Sequence, residues 1–504
     1  MAVVLARVTT FTIDGLDPCP VVVEADLRAG LPAFTIVGLA DRSVTEARER
    51  VRAAIQNSGF EFPMRRVTVN LAPAHLRKAG PGFDLAIACA ILVASGQLPE
   101  ARLHDVAVFG ELSLTGEVRP CRGVLAAAQG AAGEGLRGLL IAADRVGEAQ
   151  LVAGLEVRGT KSLQGLAGVL AGPPEAPRPA LPAAVPVQPG GPDLADVRGQ
   201  AAAIAALTVA AAGGHNLLFI GPPGTGKTML ARRLPSILPP LTPAEALDVT
   251  RIQSVAGLRA EDGIAHLRPF RAPHHTISAA GLIGGGPLPS PGEATLAHAG
   301  VLFLDELSEF DRRSLEALRQ PLEDGHVSIV RQNRVARFPT RFALVAATNP
   351  CPCGRGGQAC RCGEADVQRY ARRLSGPLLD RIDLVVSVER PSTEDLAAEP
   401  VATSAAVRAQ VLAARERQAT RGVRCNAELR GARLRAAAAI TGPARELLDR
   451  VYDHGDLSAR GRDRALRVAR TVADLEGAAS VDASHLRVAL AYRRQDEALS
   501  QAAA

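Results

Sequence analysis

At 504 residues the chain is long enough for about three domains of ordinary size, and its 47% hydrophobic content can bury several cores, which excludes disorder of the whole chain. Its 58 Lys+Arg against 52 Asp+Glu leave a formal charge of +6, a mild excess compatible with a polyanionic partner but unable to establish one. Apolar runs such as Leu85–Ala94 and Ala201–Ala212 fall short of the ~20 residues a bilayer-spanning helix needs, so a soluble protein with no membrane partner is expected. The opening MAVVLARVTTF lacks the basic flank and cleavage site of a secretory signal, which points to the cytoplasm. Aromatics at 3% and no Trp argue against a base-stacking platform as the main nucleic-acid grip. Lysine occurs only at positions 78, 161 and 227; the remaining basic residues are arginine.

In chain order, β-like stretches at Phe34–Val37, Val67–Leu71, Val106–Phe109 and Leu139–Ile141 alternate with helical periods, predicting an α/β domain over residues 1–171. Its best helix is expected to start at Ser43, capped by that hydroxyl with Glu46 three residues on, and Val44, Ala47, Val51 and Ile55 share one face. Residues 172–193, dense in Pro and Ala, read as a semi-rigid tether. A second α/β unit of nucleotide-binding type follows over 194–400, with strands at Asn216–Ile220, Val301–Leu304 and Phe342–Ala346. From 401 to 504 strand signals vanish and Arg/Ala/Leu helical periods predict an all-helical third domain.

Gly221-Pro222-Pro223-Gly224-Thr225-Gly226-Lys227-Thr228 fits the phosphate-loop pattern and sits between an apolar strand and a helix, the context that makes the pattern credible. The loop's N–H groups can turn toward phosphate, Lys227 can reach the β- and γ-phosphates, and Thr228 can place its hydroxyl on Mg²⁺. Val301-Leu-Phe-Leu304 delivers Asp305 and Glu306 to the carboxyl edge of a sheet, Asp305 toward the Mg²⁺ shell and Glu306 toward the attacking water. A third strand ends in Asn349, an amide suited to the γ-phosphate or the water. ATP with Mg²⁺ is therefore the expected cofactor pair, and hydrolysis the expected reaction.

These residues resemble a AAA+ ATPase of the magnesium-chelatase-like clade. The longer strings Phe270-Arg-Ala-Pro-His-His-Thr-Ile-Ser, Leu296-Ala-His-Ala-Gly, VLFLDEL, Asn349-Pro-Cys-Pro-Cys-Gly and LSGPLLDRIDL resemble the ComM/YifB family over nearly the whole chain. The resemblance implies a homohexameric ring that hydrolyses ATP and moves on single-stranded or branched DNA, a branch-migration helicase aiding integration during natural transformation. It places an arginine finger at Arg381, a second sensor arginine at Arg460, and an adenine-lining segment at Val197, Gly199 and Gln200. The carboxy-terminal domain would be the family's helical lid.

The amino-terminal domain resembles the Lon protease fold (S5-like) through Leu71-Ala-Pro, Lys78-Ala-Gly-Pro-Gly-Phe-Asp84 and Gly110-Glu-Leu-Ser-Leu-Thr-Gly116. The register puts Gly82 where that fold carries its serine and Leu125 where it carries its lysine, leaving neither nucleophile nor base. A non-proteolytic scaffold is implied.

The segment from Gly325 to Arg341 reads as a basic hairpin turning at Gln332-Asn333, with Arg331, Arg334, Arg337 and Arg341 close together as DNA-phosphate contacts. In the resembled clade this hairpin points into the pore, and the Gly/Pro-rich stretch 277–292 is a mobile insert. Adjacent His274 and His275 should have diverging rings on regular structure, which argues against paired metal ligation. Cys351, Cys353, Cys360 and Cys362 form two C-x-C pairs, a density suited to structural Zn²⁺ or else reduced thiols on a loop. Two other functions compete with a DNA motor. One is a protein-remodelling or regulatory AAA+ ATPase; the other is a magnesium chelatase subunit, disfavoured because no D-x-S-x-S metal motif is found.

Overall fold

The computed structural model describes residues 4–39, 41–176, 191–258, 263–286, 289–331, 334–373, 376–455 and 457–501. Most of the expected tether, the hairpin turn Gln332-Asn333 and the side chains of Arg331, Arg334 and Ser43 lie outside the described residues.

Alternation of buried and open residues, as in Val21, Val23, Ala25 and Leu27, makes strands of the first part. These are β1 (Val4–Asp14), β2 (Asp17–Arg28), β3 (Ala33–Val37), β4 (Arg66–Ala72), β5 (Val106–Val108), β6 (Gly138–Ala142) and β7 (Glu156–Thr160). They form one mixed sheet in the order β3-β4-β2-β1-β5-β6-β7. The long antiparallel hairpin β1–β2 was not among the expected strands; its Thr9, Thr10 and Thr12 dilute the apolar alternation. Helix α1 (Arg42–Asn57) packs Val44, Ala47, Val51 and Ile55 inward. Its cap is Asp41, not Ser43: the Asp41 carboxylate accepts the Val44 N–H at 2.9 Å, and Ser43 already lies inside the first turn. Helix α2 (Asp84–Ala94) is apolar all round after Asp84 and every residue is buried, the expected fate of a helix with no polar face.

At Gly82 an added Cβ would lie 2.6 Å from the Phe109 ring, so no side chain fits where the resemblance sought a nucleophile. Leu125, on helix α3 (Val124–Gly133), is fully buried.

The second sheet is wholly parallel: β8 (Leu217–Ile220), β9 (Phe270–Arg271), β10 (Val301–Leu304), β13 (Ala343–Thr348) and β14 (Leu384–Ser387), in the order β9-β10-β13-β8-β14. Between β10 and β13 a separate antiparallel hairpin, β11 (His326–Arg331) with β12 (Arg334–Pro339), stands off the sheet. Buried helix α4 (Ala201–Gly213) lies on the sheet and is covered by helices α7 (Ser404–Thr420) and α8 (Ala459–Glu476). One core joins Leu207 to Phe219, Phe303, Val411, Leu466 and Val468, so the carboxy-terminal helices complete a face of the sheet. No strand occurs from 404 to 501 among the described residues.

The two α/β parts also share apolar contacts. Leu125 and Leu151 meet Leu241, Ala246 and Val249, the latter two on helix α6 (Pro243–Ala256). Leu16, in the β1–β2 turn, meets Ile252, Val327, Ile329 and Phe338 beneath the hairpin. At Gly15 an added Cβ would stand 3.1 Å from that of Ala336. No helix among the described residues is long and apolar enough to cross a membrane.

Candidate nucleotide site divided between two sheet edges

Strand β8 ends at Ile220 and hands the chain to a loop whose Gly224 and Gly226 take φ of +77° and +91°, conformations nearly confined to glycine. The loop then enters the short helix α5 (Lys227–Ala231). The Lys227 ammonium donates to the carbonyls of Gly221 at 2.6 Å and Pro222 at 2.8 Å, and lies 3.3 Å from Asn349 Oδ1. Burial lowers its pKa. The Thr228 hydroxyl donates to Asp305 Oδ2 at 2.6 Å, so the two groups proposed for Mg²⁺ are already adjacent. Thr225 and Pro223 complete the cradle, Thr225 Oγ1 donating to the Pro222 carbonyl at 3.0 Å.

Beside the loop, Val197 is fully buried, Gly199 has no room for a side chain against Asp395, and the Gln200 amide donates to the Glu389 carbonyl at 2.8 Å. Glu306 takes φ +51° as the chain leaves β10, and its carboxylate is 3.6 Å from His275 Nδ1. The His274 and His275 rings do not diverge. Their centroids are 4.1 Å apart, because the segment is irregular and free of the side-chain alternation a strand would impose.

Sequence reading missed a brace behind Asn349. The buried Tyr370 hydroxyl donates to the Asn349 carbonyl at 3.0 Å and lies within hydrogen-bond range of Thr348 and Ser308 hydroxyls. The four thiols follow directly. Cys351, Cys353, Cys360 and Cys362 have their sulfurs within 4.8 Å of one another, with Cys351–Cys353, Cys351–Cys360 and Cys353–Cys360 at 3.4, 3.5 and 3.9 Å. A tetrahedral Zn–S₄ site with ~2.3 Å bonds needs sulfurs about 3.8 Å apart, so the donor set fits. The N–H groups of Cys353 and Gly356 approach Cys362 and Cys351 sulfurs at 3.4 Å each. Backbone N–H groups of Arg361 and Arg355 pull the Cys353 thiol down to about 6, whereas burial and neighbouring thiols hold Cys351 up and push Cys362 up to about 12.

Arg381 and Arg460 are elsewhere. Asp383 and Leu384 N–H groups both donate to the Asn216 carbonyl, which puts Arg381 at the amino edge of the sheet. A four-residue strand of about 13 Å separates that edge from the phosphate loop. There Arg381 pairs with Glu323, while Asp380 faces Arg464 and Asp383 faces His215. Arg381 and Arg460 line one cleft of about 1190 Å³. Burial lowers the Arg381 pKa, helped by the charges of Arg319 and Arg460. Arg464, buried on α8, donates to the carbonyls of Ile382 at 3.0 Å and Leu379 at 3.5 Å, bracketing Arg381. Nothing in the local string signalled this role, since Arg462, Arg464 and Arg467 are equally basic neighbours.

The four basic hairpin residues are not together. Arg331 pairs across the ladder with Arg334 at the far end, and Arg337, opposite Ser328, has its guanidinium 2.8 Å from His326 Nε2. Arg341 lies past the end of β12, six strand residues or ~20 Å from the far end, and lines the Arg381 cleft. The insert over 277–292 holds a short helix, Ala279–Ile283, and a two-residue ladder; residues 287 and 288 lie outside the described residues.

Three family models match the chain. They are "magnesium chelatase, subunit ChlI" over residues 193–396, "subunit ChlI of Mg-chelatase" over 23–145, and "magnesium chelatase, subunit ChlI C-terminal" over 401–493. An uncharacterized protein of Mycobacterium tuberculosis is 45% identical over 507 residues, covering 97% of this chain and 99% of its own. The uncharacterized protein YifB of Escherichia coli is 42% identical over 500 residues, 98% of each chain. Competence protein ComM of Haemophilus influenzae is 42% identical over 505 residues, 98% of this chain and 97% of its own. AAA+ membership implies ATP and Mg²⁺ and suggests an ATPase that works as an oligomer. With similarity of this extent running from end to end and the Gly221–Thr228 loop, the acidic end of β10 and the Asn349 amide assembled at one sheet edge, the chain belongs to the ComM/YifB family of magnesium-chelatase-like AAA+ proteins.

Proposed function

We propose that the protein is an ATP-hydrolysing, ring-forming motor that acts on single-stranded or branched DNA, with branch migration during recombination as its output. The observation that carries this reading is the division of the site. Lys227, Thr228, Asp305, Glu306 and Asn349 occupy one sheet edge while Arg381 and Arg460 occupy the other, so the arginines reach a phosphate only on a neighbouring copy. Such head-to-tail contacts close into rings when the rotation between copies permits, and six copies are the family expectation.

In this reading Lys227 and the loop N–H groups hold the phosphates, Asn349 positions the γ-phosphate or water, and Glu306 takes the proton of the attacking water. Thr228 and Asp305 hold Mg²⁺, which neutralises developing charge. Arg381 of one copy stabilises the transition state on the next, with Arg460 beside it. Val197, Gly199 and Gln200 line the adenine. Arg331, Arg334 and Arg337 contact DNA phosphates; the position of Arg341 favours the cleft instead. The four cysteines hold a structural Zn²⁺. The amino-terminal domain is a Lon-like scaffold without proteolysis, the carboxy-terminal helices are the lid, and the setting is the cytoplasm. The name competence protein carried by one relative supports the link to DNA.

The family models' own descriptions favour a second reading, a chelatase subunit. Steady-state ATPase assays on the full chain separate the two, as they do a protein-remodelling ATPase. The motor reading expects stimulation by single-stranded or forked DNA, loss of turnover but not of ATP binding in Glu306→Gln, and ATP-dependent movement of a synthetic branched junction. A protein that stays monomeric and hydrolyses ATP at the same rate with and without DNA overturns it.

A further inference from the structure

The four-cysteine cluster touches the nucleotide site at two points. Gly354, φ +76°, lies so close to the phosphate loop that an added Cβ would stand 2.9 Å from Pro223 Cδ. Gly356 is packed the same way on Pro350, at 2.8 Å from its Cγ, and Pro350 directly follows Asn349. The loop that the thiols close therefore bears on both the phosphate cradle and the sensor amide. Among the described residues of 354–363 the only regular element is the three-residue turn Gly357–Ala359. No extended ladder or buried apolar side chain holds that loop in shape, whereas Cys351 at its root is 3% exposed. Four sulfurs converging from positions nine and eleven residues apart are then its main internal tie. Thiols alone make weak hydrogen bonds, but a metal ion joins all four with strong bonds.

We infer that the metal held by Cys351, Cys353, Cys360 and Cys362 is a strut of the phosphate loop, so that its occupancy sets the affinity for nucleotide through the contact of Gly354 with Pro223. The inference rests on the zinc reading above and adds a regulatory role to it. With the ion bound, Gly354 backs Pro223 and Gly356 fixes Pro350, which keeps Asn349 near Lys227. With the ion removed, the backing is lost and the cradle must be ordered by the nucleotide itself, at a cost to binding.

The test uses the full chain carrying Glu306→Gln, which separates binding from turnover. Zinc content is measured on freshly purified protein, and the affinity for a fluorescent ATP analogue is measured with excess Mg²⁺ before and after a zinc-selective chelator. About one zinc per chain is expected, with affinity falling about tenfold on chelation and returning when Zn²⁺ is added back. Gly354→Ala supplies the second arm. It keeps all four thiols and the zinc, yet pushes on Pro223, and should weaken nucleotide binding by a similar factor with the melting temperature of the fold retained. Protein that never contains or takes up zinc overturns the metal site and the strut together. Stoichiometric zinc with unchanged affinity after chelation and in Gly354→Ala overturns the strut alone.

Discussion

The two edges of the five-stranded sheet differ in what they can do alone. The carboxyl edge holds a lysine, a hydroxyl, two carboxylates and an amide within a few ångströms, with Lys227 against Asn349 and Thr228 against Asp305. The amino edge carries Arg381 and Arg460 in a wide, arginine-rich cleft that Arg341, Arg424 and Arg464 also line. On the motor reading the carboxyl edge would hold a phosphate chain but lack the extra cation that transition-state charge calls for, and the amino edge would supply that cation. A single chain on that reading carries two halves facing apart, and one copy's amino edge would act on another's carboxyl edge.

Removing the cation is the hardest blow to this comparison. Arg381→Ala should leave ATP binding nearly intact and cut turnover by ~10³ to 10⁵, the range that arginine fingers supply. Mixing it with Lys227→Ala should restore part of the rate, and a fully active Arg381→Ala enzyme would break the pairing of edges.

The amino edge also has its own pH sensitivity. His298 accepts the Arg341 N–H at 3.1 Å through Nδ1, and burial, aided by the Arg424 charge, pushes its pKa down to about 4. Its folded pKa is below the unfolded value near 6.5, so its stabilising contribution is complete above pH 6.5 and lost as pH falls toward 4. About 2.5 pK units correspond to roughly 3 kcal/mol at most. Denaturant midpoints of the wild type should drop over that window, and those of His298→Asn should be flatter; equal slopes would remove the histidine from the account.

Arg464→Gln asks whether α8 positions the finger. Loss of a charged donor to the Leu379 and Ile382 carbonyls should lower turnover about tenfold to hundredfold at unchanged nucleotide affinity, with partial rescue by Arg464→Lys. A change in affinity without a change in rate would make Arg464 merely structural. The smallest effect separates hairpin from cleft. Arg337→Ser should reduce the slope of log affinity for single-stranded DNA against log salt by ~0.7, one phosphate contact, and Arg341→Ser should leave that slope in place.

Legibility in the sequence followed distance along the chain. The phosphate loop and Asp305-Glu306 could be read because each is a run of neighbours whose chemistry is local. The strand β10, wholly apolar and buried, and helix α4, apolar but for Thr208 and mostly buried, were equally plain. The hairpin β1–β2 was not, because Thr9, Thr10 and Thr12 on β1 mask the alternation. What joins remote positions was hidden: Tyr370 on Asn349, His275 near Glu306, Arg381 with Glu323, Gly354 against Pro223. No periodicity or spacing encodes such encounters. Adjacency misled for the histidines, since the expected divergence presumes a regular backbone that Pro273–Thr276 does not have. The clustering of Arg341 with Arg337 failed for the opposite reason, as a strand spreads neighbours in sequence over ~3.3 Å each.

Leu16 lies in apolar contact beneath the basic hairpin, and Leu125 lies in apolar contact with the helix beside it. On the motor reading, a shove delivered to that hairpin would be transmitted into the amino-terminal sheet as well as into the sheet that carries Lys227 and Asp305. The first third of the molecule behaves as a handle bolted to the tool, and a version shortened to residues 194–504 would leave Phe338, Val327 and Leu241 wet and prone to clump.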